Sequence, residues 1–170
     1  MKISIIIASN NKNLALAKQI KKIAMDMGNE TQIIDLVAED LPLYTPANQE
    51  KLGIPSKVKQ LNDTITHSEG MIFVAPEYNG GIPPSLTSAI AWLSVSSENW
   101  RGCFNGKPAA IATHSGGGGQ YVLLSMRNQL SYIGMNVVGR TILTNGGKPF
   151  NPESAQEVIK QLVSWKTHTV

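Results

Sequence analysis

The sequence has a single cysteine, Cys103, which excludes an internal disulfide bond and any site built from several thiolates. No stretch approaches the ~20 consecutive apolar residues of a membrane-spanning helix, so no membrane association is expected. The amino-terminal apolar run is shorter than the ~7–15 residues of a secretory signal core, and we interpret it as the first strand. These absences together predict a cytoplasmic protein.

The sequence also has few histidines and a small net charge. The 3 histidines, His67, His114 and His168, lie far apart in the sequence, so no metal site is expected. The formal net charge is only +3, and the lysines are scattered rather than gathered in one tract. Scattered lysines are typical of solvated helix faces, and no nucleic-acid partner is predicted. A weak positive field of this kind would still attract phosphorylated cofactors.

Short apolar segments alternate with segments of helical periodicity, which is the pattern of a parallel sheet with helices on its faces. The segments at 3–7 and 71–75 are nearly continuous apolar runs, typical of strands buried on both faces. The predicted strands are Lys2–Ala8, Thr31–Val37, Met71–Ala75, Ala109–Thr113 and part of Asn136–Leu143.

Five helices are predicted, each from an apolar stripe on one helix face. The stripes contain Leu16 and Ile20, Val58 and Leu61, Leu86 and Ile90, Val122 and Met126, and Val158 and Ile159. The last helix has the clearest start, because Asn151 is a typical N-cap and Pro152 suits the first helical position. Asp40–Ile54, which follows the second strand, is predicted to be a long surface loop and a candidate site or interface element.

The 170 residues are predicted to form one domain, spanning residues 1–170. With right-handed crossovers, five alternating strands and helices leave few topologies, and we predict the strand order 2-1-3-4-5. The longer Rossmann sheet would need a sixth strand. The predicted fold class is therefore α/β, a three-layer α/β/α sandwich with a five-stranded parallel sheet.

Ligands of open α/β sheets bind outside the carboxyl ends of the strands, where the strand order reverses. The first loop there, loop 1 (Ser9–Asn13), offers hydroxyl, amide and backbone N–H groups at the start of a helix, which suits an anion. An alternative is that Asn11 or Asn13 simply caps that helix. Loop 1 alone does not distinguish these two interpretations.

Two further loops have unusual sequences. Loop 2 (Pro76–Pro84) combines a carboxylate, an aromatic ring, an amide, glycines and prolines, which fix an exposed backbone able to contact the edge of a planar ring. Loop 3 (His114–Gly119) ends in four glycines, which favours close approach of a ligand over mere flexibility. Neither a P-loop nor a Rossmann glycine fingerprint is present.

The segment from Val74 to Ser94, which reads VAPEYNGGIPPSLTSAIAWLS, resembles a known family. It is similar to the P-E-Y-N-x-x-x-P-x-x-L-K-N-A-[IL]-D-W-L-S stretch of the NADPH-dependent FMN reductases, in the flavodoxin-like superfamily. Asp35–Leu36 with Leu41–Pro42, and the glycines of loop 3, support the resemblance. It extends over most of the chain and implies a flavodoxin-like fold.

The resemblance implies an FMN site on the three loops. Its predicted residues are Ser9, Asn11 and Asn13 for the phosphate, Pro76, Glu77, Tyr78, Asn79 and Gly80 around the isoalloxazine ring, and His114, Ser115, Gly116 and Gly117 on the ring's other side. Loop 1 departs from the family pattern G-S-x-R-x-x-S-x-N, because it is three residues shorter and lacks the arginine and the second serine. Lys12 is the nearest positive charge that compensates. Thr87, Ser88 and Ala91 replace the family's lysine, asparagine and aspartate.

The implied function is an NAD(P)H oxidoreductase that passes electrons from NADPH or NADH through FMN to a quinone, azo dye, metal oxyanion or flavin. No side-chain acid or base is expected to be catalytic, because the cofactor carries the chemistry. We predict that Glu77 makes a loop-fixing hydrogen bond and that His114 makes a hydrogen bond at a strand end. The family implies a homodimer or homotetramer, for which Trp92, Trp100 and the Asp40–Ile54 loop are candidate interface elements. Of these, Trp92 is predicted instead to pack in the core.

Two other functions fit the same residues. A flavodoxin-type electron carrier would bind FMN but oxidise little NAD(P)H, and the basic pI argues against it. A binding or sensing protein with weakened flavin binding is the second alternative, suggested by the short loop 1.

Overall fold

The computed structural model describes residues 1–165 and contains a parallel sheet between two helical layers. The strands are β1 (Lys2–Ile7), β2 (Glu30–Asp35), β3 (Gly70–Val74), β4 (Pro108–His114), β5 (Asn136–Val137) and β6 (Ile142–Thr144). The helices are α1 (Lys12–Asp26), α2 (Leu36–Glu39), α3 (Pro46–Leu52), α4 (Ser56–Thr66), α5 (Pro84–Val95), α6 (Gln120–Tyr132) and α7 (Pro152–Ser164).

The sheet has the strand order β2-β1-β3-β4-β5, and all these pairs are parallel. Strand β1 lies between β2 and β3, and its Ile5 pairs with Ile33 of β2 and with Ile72 of β3. The predicted order 2-1-3-4-5 is confirmed. It places β1, β3 and β4 side by side, so that loops 1, 2 and 3 leave the same edge of the sheet.

Alternation along the strands divides the core between the two faces. Ile5 and Ile7 of β1 pack with α1 and α7, whereas Ile6 packs on the opposite face with Leu61 of α4 and with helices α5 and α6. Both faces are therefore covered, which explains why these strands read as continuous apolar runs.

The fifth strand is divided. β5 pairs with the start of β4 and β6 pairs with its end, so the two short pieces occupy one position in the sheet. Between them, Arg127 of α6 donates to the carbonyl oxygens of Val137, Val138 and Gly139 at 3.2, 2.8 and 3.0 Å. The arginine satisfies backbone acceptors where the ladder is interrupted.

Two sequence predictions were wrong in detail. Asp40–Ile54 is not only a loop, because it contains α3, whose start is capped by the Thr45 hydroxyl accepting from the Asn48 N–H at 3.0 Å. The predicted strand Thr31–Val37 ends at Asp35, whose carboxylate caps the short α2 by accepting from Val37 and Ala38. In both places a side-chain cap starts a helix.

No helix among residues 1–165 is long and apolar enough to cross a membrane. In the same part of the chain, no three histidine, cysteine, aspartate or glutamate side chains are grouped to hold a metal ion. His168 lies outside the described residues.

Candidate functional site

Loops 1 and 3 are joined by Asn13. Its side chain is buried and lies against the end of β4, where its Nδ2 donates to the His114 carbonyl oxygen at 3.0 Å and its Oδ1 accepts from the His114 N–H at 2.8 Å. Asn13 was predicted to contact a cofactor, or to cap α1. The structure instead uses both polar atoms of the side chain to hold the start of α1 against β4.

Loops 2 and 3 are joined by Glu77. One carboxylate oxygen, Oε2, accepts from the Ser115 hydroxyl at 2.9 Å and from the Gly119 N–H at 2.8 Å. Ser115 in turn accepts from the Gly117 N–H at 3.0 Å. Glu77 therefore makes the loop-fixing hydrogen bonds predicted for it, and it holds the glycines of loop 3 in one arrangement.

The same carboxylate lies at the amino end of α6. The N-cap residue, Gly119, has no side chain with which to cap the helix. The carboxylate of Glu77, in loop 2, caps it instead by accepting from the Gly119 N–H. The hydrogen bond from Ser115 and the N–H groups of Gly119, Val122 and Tyr121 lower the pKa of Glu77, while burial acts in the opposite direction. The carboxylate is thus ionised at neutral pH and stabilised by the positive end of the helix dipole.

Loop 2 begins with a tight turn. Tyr78 and Gly81 exchange two backbone hydrogen bonds at 2.9 and 3.2 Å, and the two residues between them, Asn79 and Gly80, both have positive φ angles of 51° and 76°. Asn-Gly is the sequence that such a turn prefers. The turn leaves the Tyr78 side chain 52% exposed at the sheet edge, where it is free to cover a ligand.

In loop 3, no neighbouring atoms cover the backbone of two glycines. A Cβ atom added to Gly116 or Gly118 would meet nothing within 4 Å, and only Gly119 in this loop has a positive φ angle. Neither packing within the protein nor backbone conformation therefore requires glycine at 116 and 118. Close approach of a flat ligand would account for glycine at both positions, because a side chain there would occupy the ligand's place.

Loop 1 is strained at Asn11. This residue has φ 58° and ψ −121°, a conformation that is costly for a residue with a side chain, and it occupies the N-cap position of α1 without making a side-chain cap hydrogen bond. The alternative interpretation of Asn11 as a simple cap is therefore wrong. The first N–H groups of α1 have no partner within the helix, and together with Lys12 they suit a phosphate.

His114 ends β4 beside these loops. Its Nδ1 lies 2.9 Å from the Thr144 Oγ1 of β6, as predicted for a strand-end hydrogen bond. Burial and the nearby charge of Lys12 lower its pKa, so the ring is neutral at pH 7. Next to it, a groove of about 260 Å³ opens between α1 and the loop before α7, lined by Lys12, His114, Asn145 and Phe150 among others.

Sequence reasoning missed two contacts that support the site. Asn145, which follows β6, donates to the Gly117 carbonyl oxygen at 3.3 Å, and the Ser85 hydroxyl of α5 donates to the Ala8 carbonyl oxygen at 3.2 Å. The run Asn145–Gly146–Gly147 signals a turn. That signal indicates a loop, but not that the loop reaches the glycines of loop 3.

The region around Trp92 also departs from the family pattern. Trp92 is fully buried, which confirms its predicted core position, and its indole N–H donates to the Pro42 carbonyl oxygen at 2.7 Å. Ser88, where the family has asparagine, accepts from the Tyr44 N–H at 2.8 Å, and the Tyr44 and Trp92 rings meet edge-on at 5.1 Å. These contacts hold the segment that leads into α3 against α5.

The chain resembles characterised reductases in sequence. The family model for NADPH-dependent FMN reductases matches residues 1–148. A quinone reductase of Escherichia coli K12 is 32% identical over 136 residues, covering 79% of this chain and 70% of that protein. An NADPH azoreductase of a Bacillus species is 30% identical over 119 residues, covering 69% of this chain and 62% of that protein.

Solved structures show the same fold. The flavoenzyme FerB of Paracoccus denitrificans, an NAD(P)H:acceptor oxidoreductase, superposes with a TM-score of 0.78 at 22% identity, covering 99% of both chains. An archaeal flavodoxin superposes with a TM-score of 0.69 at 16% identity, covering 98% of this chain and 99% of that one. The chain has a flavodoxin-like fold, belongs to the NADPH-dependent FMN reductase family and is an FMN-dependent NAD(P)H oxidoreductase.

Proposed function

We propose that FMN binds across loops 1, 2 and 3, with the isoalloxazine ring between the Pro76–Gly80 and Ser115–Gly117 segments. The observation that carries this proposal is the bare backbone at Gly116 and Gly118, which nothing inside the protein requires. Glu77 of loop 2 holds loop 3 in place, because its carboxylate accepts hydrogen bonds from Ser115 and Gly119. The residues present therefore fit a flat ring held by backbone groups.

The phosphate belongs at loop 1 in this proposal. Ser9, Asn11 and the first N–H groups of α1 would hold it, and Lys12 would supply the positive charge. A phosphate without an arginine lacks charge-assisted hydrogen bonds that are worth about 1.5–3 kcal/mol each. We therefore expect FMN to bind less tightly here than at a loop with the full family pattern.

The side chains of the site position the ligand rather than transfer protons. Asn13 and His114 hold loop 1 against β4, and Glu77 holds loop 3. Bound FMN supplies the acceptance of hydride and the delivery of electrons. Glu77, with its lowered pKa, is ionised at neutral pH and has no proton to donate.

The electron acceptor in this proposal is a small molecule such as a quinone, an azo dye, a metal oxyanion or a free flavin. The open face of loop 3 and the names of the sequence relatives, quinone reductase and azoreductase, support this class. We also propose that residues 1–170 form one domain and that the protein acts in the cytoplasm as a homodimer or homotetramer.

The first experiment is a fluorescence titration of the purified protein with FMN, with riboflavin in parallel. Saturable binding of FMN, tighter than that of riboflavin, is expected because loop 1 contributes only when a phosphate is present. Equal affinity for both ligands would contradict the phosphate assignment. Lack of saturable binding of either ligand, well above micromolar concentration, would contradict the FMN site.

NADPH oxidation by the FMN-loaded protein distinguishes a reductase from an electron carrier and from a binding or sensing protein. Oxidation coupled to the reduction of a soluble quinone is expected. A yellow protein that leaves NADPH unchanged would support the flavodoxin-type carrier instead, and a colourless protein that FMN cannot saturate would support a binding or sensing role.

A further inference from the structure

A pocket lies beside the carboxyl end of α6, away from the candidate flavin site. We call it the Arg101 pocket. It has a volume of about 220 Å³ and is lined by Trp100, Arg101, Asn105, Tyr132, Ile133 and Gly134. Helix α6 starts beside loop 3 and ends at Tyr132, so the Arg101 pocket is about 18 Å along the helix from loop 3. It is therefore separate from loops 1, 2 and 3.

The Arg101 guanidinium contacts two aromatic rings in this pocket. Its central carbon lies 3.7 Å from the centre of the Trp100 ring and 4.7 Å from that of the Tyr132 ring. Such contacts attract a cation to the face of each ring. The Nη1 of Arg101 also donates to the Tyr132 carbonyl oxygen at 3.2 Å. Two rings and one carbonyl oxygen therefore fix the position of this cation.

Most of the hydrogen-bond donors of Arg101 have no acceptor. A guanidinium has five N–H groups, and within residues 1–165 only the Nη1 of Arg101 makes a hydrogen bond. Its Nε is buried and has no partner there, and no carboxylate in the same part of the chain forms an ion pair with it. A partly buried cation without a counter-ion is unfavourable, because its lost hydration is not replaced. An anion in the pocket would supply the missing acceptors.

The other residues of the Arg101 pocket also suit an anion. No acidic side chain lines it, and the Asn105 amide and the Tyr132 hydroxyl, which make no hydrogen bond within residues 1–165, can both donate to a ligand. The Asn105 N–H donates to the Arg101 carbonyl oxygen at 2.9 Å, which keeps these two residues together. Glycine at 134 allows this arrangement, because a Cβ added there would collide with the Asn105 side chain.

The backbone of Arg101 has a conformation that arginine rarely adopts. Its φ angle is 61°, in the left-handed region, where glycine is unstrained and a residue with a long side chain is not. Its carbonyl oxygen accepts from the N–H groups of Phe104 and Asn105, both at 2.9 Å, so a tight turn holds this conformation. Strained residues are found most often at ligand sites. An arginine at this position is therefore explained if its side chain binds a ligand.

We infer that the Arg101 pocket binds a small aromatic carboxylate. A guanidinium pairs with both oxygens of a carboxylate through parallel hydrogen bonds. The volume of about 220 Å³ is sufficient for one aromatic ring, since a cavity of about 150 Å³ can hold benzene. Trp100 and Tyr132 are 58% and 75% exposed and offer apolar surface to that ring. Inorganic phosphate would match the charge but leave these two side chains uncovered.

Saturation-transfer NMR of the wild-type protein with benzoate tests the binding. Saturable binding at millimolar concentration is expected, and benzamide, which has the same ring without the charge, should bind at least tenfold more weakly. Inorganic phosphate should compete with benzoate only weakly, because it makes no contact with the rings. Equal affinity for benzoate and benzamide, no saturation by benzoate, or tighter binding of phosphate than of benzoate would each overturn the inference.

Substitutions test whether benzoate binds at Arg101. Arg101→Gln should weaken benzoate binding at least tenfold, whereas Arg140→Gln, the matched control at an exposed arginine after β5, should not change it. Lys12→Met, in the candidate flavin site, should not change it either. Weakened binding in either of these two controls but not in Arg101→Gln would overturn the inference. Arg101→Lys keeps the charge without the planar fork and should bind with intermediate affinity. If Arg101→Gln does not fold, an affinity of Arg101→Lys equal to that of the wild type would overturn the inference instead.

Tryptophan fluorescence tests the place of binding independently. Benzoate should change the fluorescence of the wild-type protein, because Trp100 is exposed in the pocket whereas Trp92 is fully buried. The change should disappear in Trp100→Phe. A fluorescence change that persists in Trp100→Phe would place benzoate elsewhere and overturn the inference. The Arg101 pocket is independent of the proposed FMN site, so FMN binding and benzoate binding can each fail without affecting the other.

Discussion

Glu77 joins two loops and caps a helix with one carboxylate, so its charge is important for stability. Glu77→Gln is expected to lower the free energy of unfolding of the apo protein by about 1–2 kcal/mol at pH 7, because hydrogen bonds to an ionised acceptor are the stronger kind. Chemical denaturation at several pH values measures this loss.

The pH dependence of that loss has a definite sign. The pKa of Glu77 is lower in the folded protein than its ordinary value, so its contribution is full above the unfolded pKa of ~4.3 and is lost as pH falls through the folded pKa. The difference between wild type and Glu77→Gln should therefore shrink in acid. Glu157→Gln, which removes an exposed pair with Lys160, is the control and should change stability little at any pH. An equal loss for Glu77→Gln at pH 7 and in strong acid would contradict the role of its charge.

Gly116 distinguishes a ligand-facing glycine from a structural one. Gly116→Ala introduces a methyl group into open space at a backbone conformation that alanine accepts, so apo stability should stay the same or rise by ~0.4–1 kcal/mol. FMN affinity should fall at least tenfold, because the methyl group would lie where the proposed site places the ring. Fluorescence titration and thermal unfolding measure the two effects.

Gly139→Ala is the matched control for this substitution. Gly139 also has open space around its missing Cβ and no positive φ angle, but it lies between β5 and β6. It should leave FMN affinity unchanged. Loss of FMN affinity in both variants, or in neither, would contradict the proposal that the uncovered backbone of loop 3 lies against FMN.

At the scale of elements, α3 depends on contacts outside itself. None of its residues is buried, and the segment before it is held by the Trp92 indole N–H on the Pro42 carbonyl oxygen. Trp92→Phe removes that donor and leaves a small cavity, so we expect a loss of about 1–3 kcal/mol and faster proteolysis near α3. Trp100→Phe, on the exposed surface, should have little effect; equal effects of the two substitutions would refute this account.

Sequence analysis predicted the strands and helices whose signal lies within a short stretch of the chain. The strands β1 and β3 are continuous apolar runs, and α7 has Asn151 as its cap, with the Oδ1 accepting from the Ser154 N–H at 2.9 Å. Helix α3 lacks an apolar stripe and was therefore predicted to be a loop. The sequence signals its start only by Thr45 before Pro46, and no amphipathic pattern follows this N-cap.

Contacts between distant residues could not be predicted in the same way. That loops 1, 2 and 3 meet at one edge could be predicted, because the carboxyl ends of parallel strands lie at the same edge of a sheet. The hydrogen bond from Gly119 to Glu77 joins residues 42 positions apart, and that from Asn145 to Gly117 joins residues 28 apart. Each depends on the register of the sheet and on side-chain geometry, which no local pattern contains.

The charge of the whole molecule should affect how fast FMN binds. The net charge of +3 attracts a phosphorylated ligand from solution, and salt screens this attraction over a Debye length of ~10 Å at 0.1 M. Stopped-flow fluorescence should show an association rate for FMN that falls several-fold between low salt and ~0.3 M salt. Riboflavin, which has no phosphate, should show little change. The same salt dependence for both ligands would exclude electrostatic attraction of the phosphate.

The divided fifth strand affects how this protein resists aggregation. An edge strand with a long row of free backbone groups can recruit a strand from another molecule. Here that edge is cut into pieces of two and three residues, and Arg127 occupies carbonyl groups in the gap. An incoming chain therefore has too few consecutive groups to extend the sheet from this side. Growth of fibrils from this edge of the sheet is suppressed in consequence.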